Sequence, residues 1–113
     1  MNDRRAEPRL LCSDLIKVRL EGAHPADVMG NLEDISPSGA CVQLEQPVSP
    51  GAGIRLTLGR HKFRGRVKYC VYDDIGYYVG VEFEPGKKWS RALYTPKHLL
   101  DPRDLLEPGN SKE

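Results

Sequence analysis

Three arginines, Arg4, Arg5 and Arg9, stand within the first nine residues, ahead of any hydrophobic alternation. Arginine offers a planar fork of donors that fits phosphate oxygens bidentately, and the same plane stacks on an aromatic base. Pro8, between Arg5 and Arg9, disfavours a helix through this lead and pushes Glu7 toward an extended conformation. In extended chain, residues four apart face the same side about 13 Å from each other, at about 3.3 Å per residue. Such a pair suits an anion clamp wider than one phosphate, and equally suits a solvated charged terminus.

A second constellation is Asp34-Ile35-Ser36-Pro37-Ser38-Gly39, which sets a carboxylate, a hydroxyl and a glycine at fixed offsets immediately before a strand-like run. Read alone, Asp34 and Ser36 serve equally well to cap a turn through their own backbone, with Gly39 supplying turn geometry. Taken together, the two motifs resemble those of the PilZ domain, a bacterial receptor for cyclic diguanylate (c-di-GMP). The family pattern is Arg, three residues, Arg, then after the first strand Asp or Asn, one residue, Ser, two residues and Gly. Arg5, Arg9, Asp34, Ser36 and Gly39 fill it without departure, and Gly80-Val81-Glu82-Phe83 is a further, less specific likeness. The resemblance covers roughly residues 4–85.

The resemblance implies a ligand with two phosphates and two guanines in a ring. Arg5 and Arg9 would then bond phosphate oxygens and guanine edges, one guanidinium stacking on a base. Asp34 would accept from guanine N1–H and N2–H, which no phosphate contact discriminates. Ser36 would add a small donor, and Gly39 would let the backbone approach closely or take positive φ. Arg4 would either help hold a stacked pair of ligands or remain a solvated charge. The ligand apart, no cofactor and no metal is implied.

The rest of the sequence must position these groups. With 113 residues the chain is one domain with a modest core. Seventeen Lys plus Arg against sixteen Asp plus Glu leave it near neutral, which argues against a general DNA or RNA binder and requires any basic site to be local. No apolar run is long enough to span a bilayer, and charged residues stand where a secretory apolar stretch would begin, so the expected location is the cytoplasm. Cys12, Cys41 and Cys70 fit neither a disulfide framework nor zinc spacing. His24, His61 and His98 are dispersed and read as surface residues. There is no nucleophile with a base, no paired carboxylate and no glycine-rich phosphate loop, so catalysis is not expected.

Alternation predicts six strands: 14–20, 27–35, from Gly39 through Glu45, from Ile54 through Leu58, 62–72 and 77–84. In the fifth, Phe63, Val67, Tyr69 and Val71 are expected on one face and Lys62, Arg64, Arg66 and Lys68 on the other. That basic stripe is either a solvated outer face or a surface for an anionic partner. Short strands joined by turn residues point to an antiparallel sheet that closes on itself. The expected fold is therefore all-β, a small six-stranded antiparallel barrel of the PilZ type with short C-terminal helical turns.

The expected organisation is an N-terminal clamp over 1–12, mobile until ligand orders it, a barrel over 13–85, a segment 86–107 packing back on the barrel, and a disordered tail over 108–113. Pro96, Pro102 and Pro108 limit any helix in the third part to a turn or two, with Asp101-Pro102 as cap and first helical position. The function implied is a c-di-GMP receptor that changes the shape of its arginine lead and regulates a protein partner in trans, with an output in motility, exopolysaccharide or biofilm formation. The competing reading is a ligand-independent PilZ-like module that acts through protein contacts.

Overall fold

The computed structural model describes residues 7–103 of the chain. Arg4 and Arg5, Leu105, Leu106 and the tail after Pro108 lie outside these residues. Six strands follow in order: β1 (Leu10–Leu20), β2 (Ala26–Ser36), β3 (Gly39–Leu44), β4 (Gly53–Leu58), β5 (His61–Asp73) and β6 (Gly76–Phe83). They pair antiparallel around a closed barrel in the order β1-β2-β3-β6-β5-β4. Most neighbours in that ring are hairpins. Gly59, at φ 64°, turns β4 into β5, a conformation that a residue with a Cβ rarely takes.

Alternation packs the barrel. Ile16, Val18 and Leu20 of β1, Ala40, Val42 and Leu44 of β3, and Ile54, Leu56 and Leu58 of β4 all point into one buried cluster. Phe63 and Phe83 meet within it at 5.0 Å between ring centroids. Beyond β6, Trp89 is buried against the same cluster, its backbone N–H donating to the Pro37 carbonyl and its indole N–H to the Tyr94 carbonyl, each at 2.8 Å. Leu100 forms a two-way backbone bridge with Leu11 at 2.7 and 2.8 Å. The bridge gives part of β1 a partner where β4 does not reach, since β4 pairs only with Lys17–Leu20.

Asp14 is the buried carboxylate beneath this strap. It accepts from the Tyr94 hydroxyl and from the Lys97 N–H at 3.3 Å, so its charge is met by donors rather than left bare. Burial, together with the bond to Asp14, pushes the Tyr94 hydroxyl up to about 12.

The strand pairing is interrupted at three places. The register slips between Leu11 and Asp14, between Leu32 and Asp34, and between Val67 and Tyr69. Each slip is a bulge, an extra residue on one strand; in β2 and β5 it re-aims the side chains after it, whereas β1 keeps its in–out alternation throughout. The expected single face Phe63, Val67, Tyr69, Val71 therefore holds only as far as Val67. Beyond Lys68 the face inverts, leaving Tyr69 44% and Val71 54% exposed while Cys70 turns toward the core.

Candidate functional site

Arg9 stands one residue ahead of β1, where Leu10 pairs with Ile35 and Leu11 with Asp34. That register brings two residues 25 positions apart into contact: Arg9 Nη2 donates to Asp34 Oδ1 at 2.6 Å. Asp34 follows the β2 bulge, so Glu33 and Asp34 are both half-buried in succession instead of alternating in and out. The second strand expected from alternation, 27–35, includes Asp34. In the fold it lies within β2, and only Pro37-Ser38 forms the connection.

That connection is pinned from several sides. Phe83 N–H donates to the Ser38 carbonyl at 2.9 Å. The Ser38 hydroxyl donates to Glu7 Oε1 at 2.6 Å, and Lys88 Nζ reaches Glu7 Oε2 at 3.2 Å. The Ser38 bond, aided by Lys88 and opposed by burial, holds the Glu7 carboxyl below the usual carboxylate range. Glu7 thus ties the residues just before Arg9 to the β2–β3 turn.

Ser36 and Gly39 have local work in the same turn. The buried Ser36 hydroxyl donates to the Gly39 carbonyl at 3.3 Å. A Cβ on Gly39 would lie 2.6 Å from the Val81 carbonyl oxygen, so only glycine lets β3 approach β6 this closely. Its φ is not positive. Close approach is the reason for the glycine here.

Tyr69 is a neighbour of the site that alternation missed. Turned outward by the β5 bulge, its ring occupies the space over Gly80, where a Cβ would come within 2.2–2.6 Å of three ring atoms. Its hydroxyl lies near the Cys41 thiol, and Cys41 is the β3 residue paired with Asp34. Burial leads the upward shift of the Tyr69 hydroxyl, with Cys41 and Asp34 adding to it and Arg9 opposing. The signal lay in the hairpin: counting back from its turn faces Tyr69 with Gly80, the residue that leaves room for a ring.

The outer surface of β2, β3 and β6 thus gathers a guanidinium, a carboxylate and a half-exposed aromatic ring. Such a surface can meet an anion, a donor pair and a planar base. Two hollows elsewhere, of about 270 Å³ at Leu20, Gly22 and Pro47 and about 410 Å³ at Pro50, Tyr72 and Tyr77, contain none of the motif residues. Burial pushes the Cys41 thiol up to about 11 and the Cys12 thiol to about 12, Asp34 adding to both. Neither is poised as a nucleophile. Among the described residues no His, Cys, Asp and Glu side chains gather closely enough to hold a metal ion, and no helix is long and apolar enough to cross a membrane.

The family model described as PilZ domain matches residues 3–93. Three solved structures share the fold. The MrkH–c-di-GMP complex of K. pneumonia matches with TM-score 0.59 and 19% identity, over 74% of this chain and 46% of that one. YcgR in complex with c-di-GMP from Escherichia coli matches with TM-score 0.58 and 16% identity, over 74% and 39%. The Bacillus subtilis inhibitor of motility, MotI/DgrA, matches with TM-score 0.52 and 16% identity, over 74% and 43%. The chain thus spans less than half the length of each of these proteins. No curated protein matches the sequence.

Proposed function

Because the chain belongs to the PilZ domain family, we propose that it is a receptor for c-di-GMP, bound on the outer surface of β2, β3 and β6 at Arg9 and Asp34. The observation that carries this reading is the Arg9–Asp34 contact, which joins the two sequence motifs at 2.6 Å beside an outward-turned tyrosine. The MrkH and YcgR structures, both complexes with c-di-GMP, support it.

Ligand enters by exchanging partners. The guanine N1–H and N2–H donate to Asp34, while Arg9 leaves Asp34 for a phosphate. Opening a partly exposed pair costs about 0.2–1 kcal/mol, and each charge-assisted bond to ligand returns about 1.5–3 kcal/mol, so the exchange is favourable. Arg5 supplies a second fork, stacked on a base or bonded to phosphate, and Arg4 serves a stacked second ligand. Ser36 turns its hydroxyl from Gly39 toward the ligand, Gly39 keeps the backbone open, and Tyr69 gives the base an aromatic face. The arginine lead folds across the ligand, a disorder-to-order switch that presents or hides a surface for a protein partner. In this reading the receptor works in the cytoplasm without catalysis and acts in trans on motility, exopolysaccharide or biofilm output.

The test is calorimetric titration of c-di-GMP into the wild-type protein and into Arg5→Ala and Asp34→Ala, with GTP as control. Micromolar affinity, about −8 kcal/mol, is expected for wild type, with losses of roughly 2–4 kcal/mol, thirtyfold to several hundredfold, in both variants. The fitted stoichiometry assigns Arg4. A folded wild-type protein that gives neither heat nor a thermal shift overturns the receptor reading. It would favour the ligand-independent module, a reading consistent with an Arg9–Asp34 pair already satisfied without ligand.

A further inference from the structure

The outer surface of β1, β4 and β5 carries cations that the nucleotide reading does not use. The register sets Arg19 directly opposite Arg55, and Arg55 directly opposite Arg64. A row of guanidinium groups therefore runs across three strands. Lys17 and Lys62 flank it on either side of Thr57, and Arg66 continues it along β5. Like charges facing each other across strands destabilise a sheet, so folding alone gives no reason for the row. Its ends are neutralised, Arg19 by Asp27 at 3.2 Å and Arg64 by Glu21 at 2.8 Å. Arg55, in the middle, has no ion pair among the described residues.

The surroundings of the row select among anions. No aromatic side chain stands outward between these cations, so the stacking platform of a single-stranded nucleic-acid site is missing. Carboxylates rim the row: Asp27 and Glu21 at its ends, and Glu82 opposite Arg66. A continuous phosphate backbone or an anionic bilayer would meet that rim as repulsion. A protein segment can answer both signs, with carboxylates over the row and cations over the rim. Strands about 4.8 Å apart give the row a span of about 10 Å, and alternate residues of an extended peptide lie about 7 Å apart. Two carboxylates of one extended segment therefore fit along it.

We propose that the β1–β4–β5 face docks an acidic, extended segment of a partner protein, whose carboxylates pair with Arg55 and its neighbours Arg19 and Arg64. The proposal stands whether or not the opposite face binds a nucleotide.

Fluorescence anisotropy of a labelled peptide of alternating glutamate and serine tests it at low ionic strength. The wild-type protein should bind the peptide, more weakly as salt rises. Arg55→Glu should weaken binding at least tenfold and Arg55→Gln by less, while Lys97→Gln, on the strap, leaves it unchanged. Arg55→Glu should also raise Tm by about 1–5 °C, because it relieves a like-charge contact, so lost binding is not lost folding. Failure of the wild-type protein to bind the peptide, or equal binding by Arg55→Glu, overturns the proposal. So does tighter binding of a poly-dT oligonucleotide or of phosphatidylglycerol vesicles, which would assign the face to those anions.

Discussion

On the β2–β3–β6 side of the barrel an arginine closes on a carboxylate at 2.6 Å, the Val81 backbone crowds Gly39 and the Tyr69 ring covers Gly80, so that neither glycine admits a side chain. On the β1–β4–β5 side, arginines face arginines across regularly alternating strands. The first face is held by geometry and the second merely tolerates its charge. Substitutions should therefore cost stability on the first face, whereas on the second they should cost only whatever binds there.

The largest effect expected from that contrast is at Gly39. Gly39→Ala sets a methyl 2.6 Å from the Val81 carbonyl oxygen, and two paired backbones must separate to admit it. A loss of about 2–4 kcal/mol is expected in denaturant unfolding, within the range of overpacked sites. An equally exposed-for-buried comparison is available at Thr57→Ala, between the lysines of the basic face, where the change should stay within about 0.5 kcal/mol. Equal losses at the two positions would remove the contrast.

Next comes Asp34→Ala. Removing a half-exposed carboxylate should lower stability by less than about 1 kcal/mol, yet abolish most nucleotide affinity, as set out above. A variant that loses both in equal measure would mark Asp34 as structural, the turn-capping role its sequence context also allows.

Alkaline pH probes the thiols beneath the first face. Cys12 and Cys41 are raised in the folded protein to about 12 and about 11 from an ordinary value of 9.0. A raised folded value means that the stability is fully present below pH 9 and is lost as pH climbs through the folded values. At pH 10 the loss should be about 1 kcal/mol per thiol. Unfolding midpoints in urea, measured from pH 7 to 10.5, should stay level and then fall above pH 9. In Cys41→Ala the fall should begin at the same pH, because Cys12 remains, but with a shallower slope, and an unchanged slope would assign the effect elsewhere.

The two faces were also unequally legible in the sequence. The basic face could be read residue by residue, because β4 and β5 as far as Val67 alternate without interruption and alternation is all that places Arg55, Arg64 and Arg66 outward. What could not be read was their partners: that Arg55 meets arginine on both sides depends on the β1–β4 register, which no local pattern carries. On the other face the motif spacing pointed to Arg9 and Asp34 together, but bulges at Glu33 and Lys68 broke the period. Tyr69 was consequently expected inside, and its place beside the site was missed. The close approach at Gly39 is a contact between β3 and β6, strands distant in sequence, and leaves no mark on its neighbours. The strap that buries Trp89 was legible as apolar residues, whereas the donors that Tyr94 and Lys97 bring to Asp14 were not.

The smallest expected effect is also the one that distinguishes the faces by sign. Added salt screens exposed charges over a Debye length that falls from about 30 Å at 0.01 M to about 8 Å at 0.15 M. Screening weakens the attraction between Arg9 and Asp34 and relieves the repulsion along Arg19, Arg55 and Arg64, so the two contributions to Tm oppose each other. Single variants separate them. In Arg55→Thr the repulsion is gone and only the attractive pairs respond, so the variant should be stabler than wild type at low salt by about 0.2–1 kcal/mol, the size of a cross-strand pair. That advantage should shrink as salt rises. In Asp34→Asn the attraction is gone, and the variant should gain more from salt than wild type does. Tm curves measured against ionic strength check both slopes, and an Arg55→Thr advantage that persists unchanged at 1 M salt would mean that the row is not held apart by charge, leaving the side chain's packing as the source of any difference.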